Sequence, residues 1–224
     1  MVKQRIILQE GLVNMKVKEE MDNLKQLVLR MSDDVIINIT EAIDFYLGKN
    51  NVDSINDDLI DQYERLIEEM CINILLKERL FAKDLKEVTG VLKLVSDLER
   101  IGDHAEDILQ FAKKLKNYSK KRLNDVIDLS AFVIKMIQDS IKAYIDGDFN
   151  LANKVIEEDD AVDKKYMEII ESLTKKDSSE DYLPYAIYTT LVVKYLERIA
   201  DHSVNIAEWV VYISSGYYKD KMMF

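Results

Sequence analysis

Leu98-Glu99-Arg100-Ile101-Gly102-Asp103-His104 returns later in the chain as Leu196-Glu197-Arg198-Ile199-Ala200-Asp201-His202, with one small residue exchanged for another. A second echo precedes each copy, because Asp57-Asp58-Leu59-Ile60-Asp61 is answered by Asp159-Asp160-Ala161-Val162-Asp163. Two motifs repeated in the same order mark a tandem duplication of one supersecondary unit. Whatever one half folds into, the other must fold into as well.

The unit is helical. Met21, Leu24, Leu27, Val28, Met31, Val35, Ile39, Ile43 and Leu47 recur at three-and-four spacing, which predicts a first helix from about Lys16 to Leu47. Gly48-Lys49-Asn50-Asn51 is turn chemistry, and Ser54 is placed to cap a second helix carrying Ile55, Leu59, Tyr63, Leu66, Met70 and Ile74. A third helix is expected from Ala82 to Lys116. After the polar break Asn117-Tyr118-Ser119 the order repeats: a fourth helix from about Leu123 to Ile145, a stop at Asp146-Gly147-Asp148, and a fifth helix carrying Leu151 to Leu173. The loop Lys175-Lys176-Asp177-Ser178-Ser179 leads to a sixth helix from about Glu180, with Pro184 in its first turn and Ser214-Ser215-Gly216 as its stop. The fold class is therefore all-α, two three-helix bundles in tandem. The division expected is an N-terminal extension over 1–15, a first bundle over 16–117, and a second bundle with a C-terminal tail over 118–224.

Composition agrees and narrows the function. Six Gly and one Pro in 224 residues leave little turn chemistry for a large sheet. The formal charge of -11 repels nucleic acid and anionic membrane surfaces. Cys71 is the one cysteine, so neither an internal disulfide nor a thiolate metal cage can form, and it is expected to pack as a small apolar group. The first residues lack a signal-peptide core, and no apolar run approaches the ~20 residues that span a bilayer. A soluble, cytoplasmic protein without membrane insertion is the expectation.

Residues four apart share a helix face, so Asp57 with Asp61, Glu99 with Asp103, Asp159 with Asp163 and Glu197 with Asp201 each present two carboxylates together. So acidic a chain contains several such pairs by chance. Chance does not place the same two pairs at equivalent positions of both halves beside an apolar seam. If the second and third helices of a half are neighbours, their four carboxylates converge and require either protonation or a multivalent cation. Oxygen donors suit Mg, Ca, Mn or Fe better than a structural Zn site. His104 and His202, the only histidines, are read as packing or outer groups, since adjacent residues diverge by about 100° around a helix. Arg100 and Arg198 are read as ion-pairing residues. The Glu-x-x-His pairs of ferritin-like oxidases are missing, as is any glycine-rich nucleotide loop. Trp209, Tyr212 and the tail Tyr217 to Phe224 are read as core aromatics, with docking as the lesser alternative.

Asp97 to His104 and Leu196 to Glu208 strongly resemble the duplicated signatures of the PhoU family. The resemblance implies two similar three-helix bundles that bind multinuclear metal clusters, iron foremost, with manganese, magnesium or zinc as alternatives. The implied metal ligands are Asp57, Asp61, Glu99 and Asp103 in one bundle and Asp159, Asp163, Glu197 and Asp201 in the other. It also implies a non-enzymatic negative regulator of phosphate-starvation signalling that modulates uptake between a phosphate-specific ABC transporter and a sensor histidine kinase, with a homodimer as one assembly. The alternatives are an accessory scaffold of another transporter and a carboxylate-bridged metalloenzyme.

Overall fold

The computed structural model describes residues 2–77, 80–116, 118, 124–175, 181–219 and 221–222, with side chains from residue 17 onward except those of 77, 221 and 222. The expected break residues Asn117, Ser119 and Lys176 to Ser179, the helix starts at Leu123 and Glu180, and the tail residues Asp220, Met223 and Phe224 lie outside them.

The first bundle consists of α1 (Val2–Tyr46), α2 (Asp57–Lys77) and α3 (Ala82–Leu115). The second consists of α4 (Asn124–Asp146), α5 (Phe149–Glu157), α6 (Asp159–Leu173) and α7 (Tyr182–Ser215). Among the described residues the only strands are β1 (Tyr217–Tyr218) and β2 (Lys221–Met222), an antiparallel hairpin after α7. The all-α duplication read from the apolar stripes holds. Leu24, Met31, Ile39, Ile60, Ile67, Leu94, Leu98, Ile137, Leu196 and Ile206 are fully buried in one continuous core. At roughly 25 cal/mol per Å² of apolar surface, that burial is the main force holding the helices together.

Three boundaries differ from the expectation, each for a local reason. α1 starts at Val2, since residues 2–15 contain no proline and a single glycine, Gly11, to interrupt it. α2 starts at Asp57 rather than Ser54. Asn38 of α1 grips the preceding residue from both sides, donating from Nδ2 to the Asn56 carbonyl at 3.2 Å and accepting from the Asn56 N–H at 3.3 Å. The fifth helix is two helices, α5 and α6, parted at Glu158. Four consecutive acids, Glu157 to Asp160, occupy the break. In the middle of a continued helix they would gain nothing from the dipole, whereas a fresh start places Asp159 and Asp160 in a first turn, where negative charge is favoured. Asp57 and Asp58 stand in the first turn of α2 in the same way. The break restores the equivalence of the two halves.

Other stop signals act as expected. Gly48, Gly147 and Gly216 take positive φ, and Gly216 closes α7 in the left-handed conformation, its N–H bonded to the Tyr212 carbonyl. Asp148 caps α5, its side chain accepting from the N–H groups of Asn150 and Leu151 at 3.0 Å each. The long helices α3 and α7 form the most extensive contact of the molecule and join the bundles. At Gly90 the approach is so close that a Cβ would stand 2.4 Å from Ile213 Cγ1. Cys71 is buried, and burial pushes its thiol up to about 12, so it packs as the small apolar group expected.

Candidate metal centres

Each acid patch is built where a short helix starts against the middle of a long one. In the first half α2 enters against α3 at Gly102, and a Cβ there would lie 3.3 Å from Asp57 Oδ1 and 3.2 Å from Ile60 Cγ2. Gly102 sits between Glu99 and Asp103 in the chain, so the first acid of α2 rests on the helical turn that carries both acids of α3. The second half has Ala200, fully buried, at the corresponding position.

The carboxylates sense one another. Burial, then repulsion from Asp103, Glu106, Asp61 and Asp58, pushes Asp57 up to about 6. Burial, then repulsion from Asp103, raises Glu99 to about 7 against the opposing pull of Arg100. In the second half burial, then Asp201 and Asp163, pushes Asp159 up to about 6, and Asp201 is raised by burial and by Glu197. All eight acids expected from the sequence thus fall into two groups of four, each spread over two packed helices. The groups lie open to solvent: Asp163 and Asp201 are exposed and Asp57, Asp61, Glu99, Asp103, Asp159 and Glu197 half-buried. Among the described residues no three acidic, histidine or cysteine side chains are already gathered into a formed metal cage. The donor set nevertheless suits a hard cation, since each group offers four carboxylates on neighbouring turns, more negative charge than the side-chain cations paired with them offset.

The cations that do reach these groups differ between the halves. Arg100 spans Glu99 at 3.3 Å and Asp103 at 2.7 Å, the ion pairing its spacing predicts. Arg198 instead lies over the Tyr195 ring, 5.3 Å from its centre, and Glu197 is held by Lys194 at 2.6 Å. Lys194 was not visible as a site residue in either motif. Aligning Leu98 with Leu196 puts it opposite Ser96, and that mismatch was its only signal.

The histidines face the seam between α3 and α7. Their ring centres are 5.5 Å apart, and the His104 ring also packs 5.2 Å from that of Tyr195. His202 Nδ1 bonds Asp97 Oδ1 at 2.8 Å, and Asn205 Nδ2 donates to the same oxygen at 3.1 Å. Burial first, then the neighbouring His202, lowers the His104 pKa. The packing role read from the sequence is what these residues perform. Trp209 stacks on Tyr218 at 3.8 Å and Lys219 pairs with Glu208 at 3.1 Å, so the described part of the tail folds back on α7.

The family model described as PhoU domain matches the chain twice, over residues 28–112 and 126–210. The chain belongs to the PhoU family. Among its relatives, the phosphate-specific transport system accessory protein PhoU homolog of Aquifex aeolicus is 36% identical over 212 residues, covering 90% of this chain and 94% of that protein. The homologue of the same description from Borreliella burgdorferi is 30% identical over 213 residues, covering 89% and 92%. The crystal structure of PhoU from Pseudomonas aeruginosa superposes with a TM-score of 0.70 at 28% identity, covering 92% of this chain and 99% of that one. The two family matches fall one in each half, as the duplication requires.

Proposed function

We propose that this protein is an accessory regulator of phosphate transport that restrains phosphate-starvation signalling and modulates uptake, acting between a phosphate-specific ABC transporter and a sensor histidine kinase. The relatives' description as accessory proteins of the phosphate-specific transport system supports a regulator rather than an enzyme. Among the described residues no helix is long and apolar enough to cross a membrane, which suits a partner that docks on a transporter.

The observation that carries the metal-binding part of the reading is the seating of Asp57 against Gly102, which unites the acids of α2 and α3 on one patch. Asp57, Asp61, Glu99 and Asp103 would hold one cluster, and Asp159, Asp163, Glu197 and Asp201 the other. When bound, iron or a similar multivalent cation supplies the positive charge that lets all four carboxylates of a patch ionise together. The acids then fix α2 against α3 and α6 against α7, so the surface offered to a partner keeps one shape.

Elemental analysis of protein purified without chelator tests the ligand assignment. The wild type should carry several metal ions per chain and the Asp103→Ala/Asp201→Ala variant far fewer; equal and negligible content in both would defeat it. Capture of partners from phosphate-replete cells tests the regulatory role. Recovery of transporter and kinase components supports it, and recovery of an unrelated complex without them overturns it.

A further inference from the structure

Taking the acid patches as the metal sites proposed above, we infer that the halves bind divalent cation unequally: the first, with Glu64 and Glu106 added to its motif acids, holds it more tightly, and in the second Lys194 is a built-in ammonium that competes for Glu197.

The inference comes from a paired exchange at matching positions. Aligning the acid motifs sets Ser96 against Lys194 and, on the shorter helices, Glu64 against Tyr166. In the first half Ser96 Oγ donates to Glu64 Oε1 at 3.1 Å, across α2 and α3. In the second half the same pair of positions brings Lys194 Nζ over the Tyr166 ring, 5.4 Å from its centre, with the ammonium 2.6 Å from Glu197 Oε2. An acid and its hydroxyl partner have been replaced by an aromatic ring and a cation. Glu106, close enough to repel Asp57, is matched by Val204, so the second half loses that acid as well.

The first half does have cations of its own, Arg100 and Arg65, but both are looser, Arg65 standing 3.9 Å from Asp61 with its side chain 68% exposed. The Arg100 side chain is 58% exposed and Lys194 38%, while their partners Glu99 and Glu197 are similarly shielded at 16% and 13%. Arg100 can swing into water when a metal ion arrives. Lys194 is seated between a carboxylate and an aromatic face, and displacing it gives up both contacts. A metal ion therefore meets six carboxylates and two mobile guanidiniums in one half, and four carboxylates and an anchored ammonium in the other.

Titration of the chelator-stripped full chain with Mn(II), followed by electron paramagnetic resonance of the free ion, tests this. One unit charge within contact distance of a site supports a difference of at least about tenfold in Kd between two classes of site. Asp103→Ala should remove the tight class and Asp201→Ala should leave it. Lys194→Gln, which keeps the packed stem and removes the charge, should tighten the weak class several-fold. Lys194→Ser with Tyr166→Glu should bring the classes together, and Ser96→Lys with Glu64→Tyr should weaken the first half, circular dichroism melting showing that each variant folds. Classes of equal affinity, a tight class that follows Asp201, or exchanges that shift nothing would overturn the inference while leaving the metal sites standing. No Mn(II) uptake by the wild type at millimolar concentration would overturn the metal reading itself, and this inference with it.

Discussion

The first half passes from α1 to α2 through an irregular segment tied down by Asn38, whereas the second fills the same interval with α5. The first carries Glu64 and Glu106 beside its acid patch; the second carries Tyr166 and Val204 there. Arg100 lies across two acids of its own helix, yet Arg198 turns to an aromatic ring. Against these differences stand Leu98 and Leu196, Ile101 and Ile199, and Ile60 and Val162, all fully buried in equivalent places. After duplication the packed seam changed by no more than about one carbon, Ile60 to Val162 and Gly102 to Ala200, because larger changes in volume there are felt by every neighbour. The charged rim could drift, since a half-exposed side chain can be exchanged at a cost of fractions of a kcal/mol.

That contrast can be broken most forcefully in the core. Leu98→Ala and Leu196→Ala should each destabilise the protein by about 2–5 kcal/mol, and by similar amounts, in urea unfolding. A large inequality would show that the seams are not equivalent.

The bond between the halves comes next. Asp97 accepts from both His202 and Asn205, while its counterpart in the second motif is Tyr195, so this anchor exists on one side only. Asp97→Ala removes two hydrogen bonds that a carboxylate makes to part-buried donors and should cost about 1–3 kcal/mol. Tyr195→Phe, which keeps the ring against His104, should cost less in the same assay.

Gly102 and Ala200 offer a finer comparison. Gly102→Val pushes branched atoms onto Ile60 and Asp57 and should cost about 1–3 kcal/mol. Gly102→Ala, which copies the second half, should stay within about 1 kcal/mol of wild type.

The smallest effect is electrostatic. The carboxyls of Asp57 and Asp159 are raised from 3.8 to about 6 in the folded chain. A carboxyl raised on folding leaves stability intact below its unfolded value and withdraws it as pH climbs through the folded one. Metal-free protein should therefore lose stability between about pH 4 and 6 through these groups. Asp57→Asn and Asp159→Asn should recover part of the loss at pH 7, about 1 kcal/mol or less once solvent screening is allowed for. Melting temperatures of wild type and variants across that range measure it.

Most of the fold was legible because it rests on periodicity. Met21, Leu24, Val28, Met31, Val35, Ile39 and Ile43 of the first stripe, and Val88, Val95, Leu98, Ala105, Leu109 and Ala112 of the stripe expected in α3, are buried in the core, while Leu85 at the start of that stripe is exposed. The start of α2 was not legible, since it depends on Asn38 reaching Asn56 across eighteen residues, a tertiary contact. The division between α5 and α6 was hidden because Leu151, Val155, Val162 and Ile169 keep a helical rhythm across it; the run of four acids was the available clue. The grouping of the eight acids into two patches was readable from spacing and repetition. Lys194, Glu64 and Asp97 were not, because their significance appears only when α2 is laid on α3, α6 on α7, and α3 on α7.

Crystals grown with iron or manganese, with diffraction recorded at the metal's absorption edge, measure the central claim directly. The account expects anomalous peaks between α2 and α3 and between α6 and α7, stronger in the first pair, in contact with Asp57, Glu99 and Asp103 and with Asp159, Glu197 and Asp201. Both patches empty, with those carboxylates turned out into solvent, would contradict it.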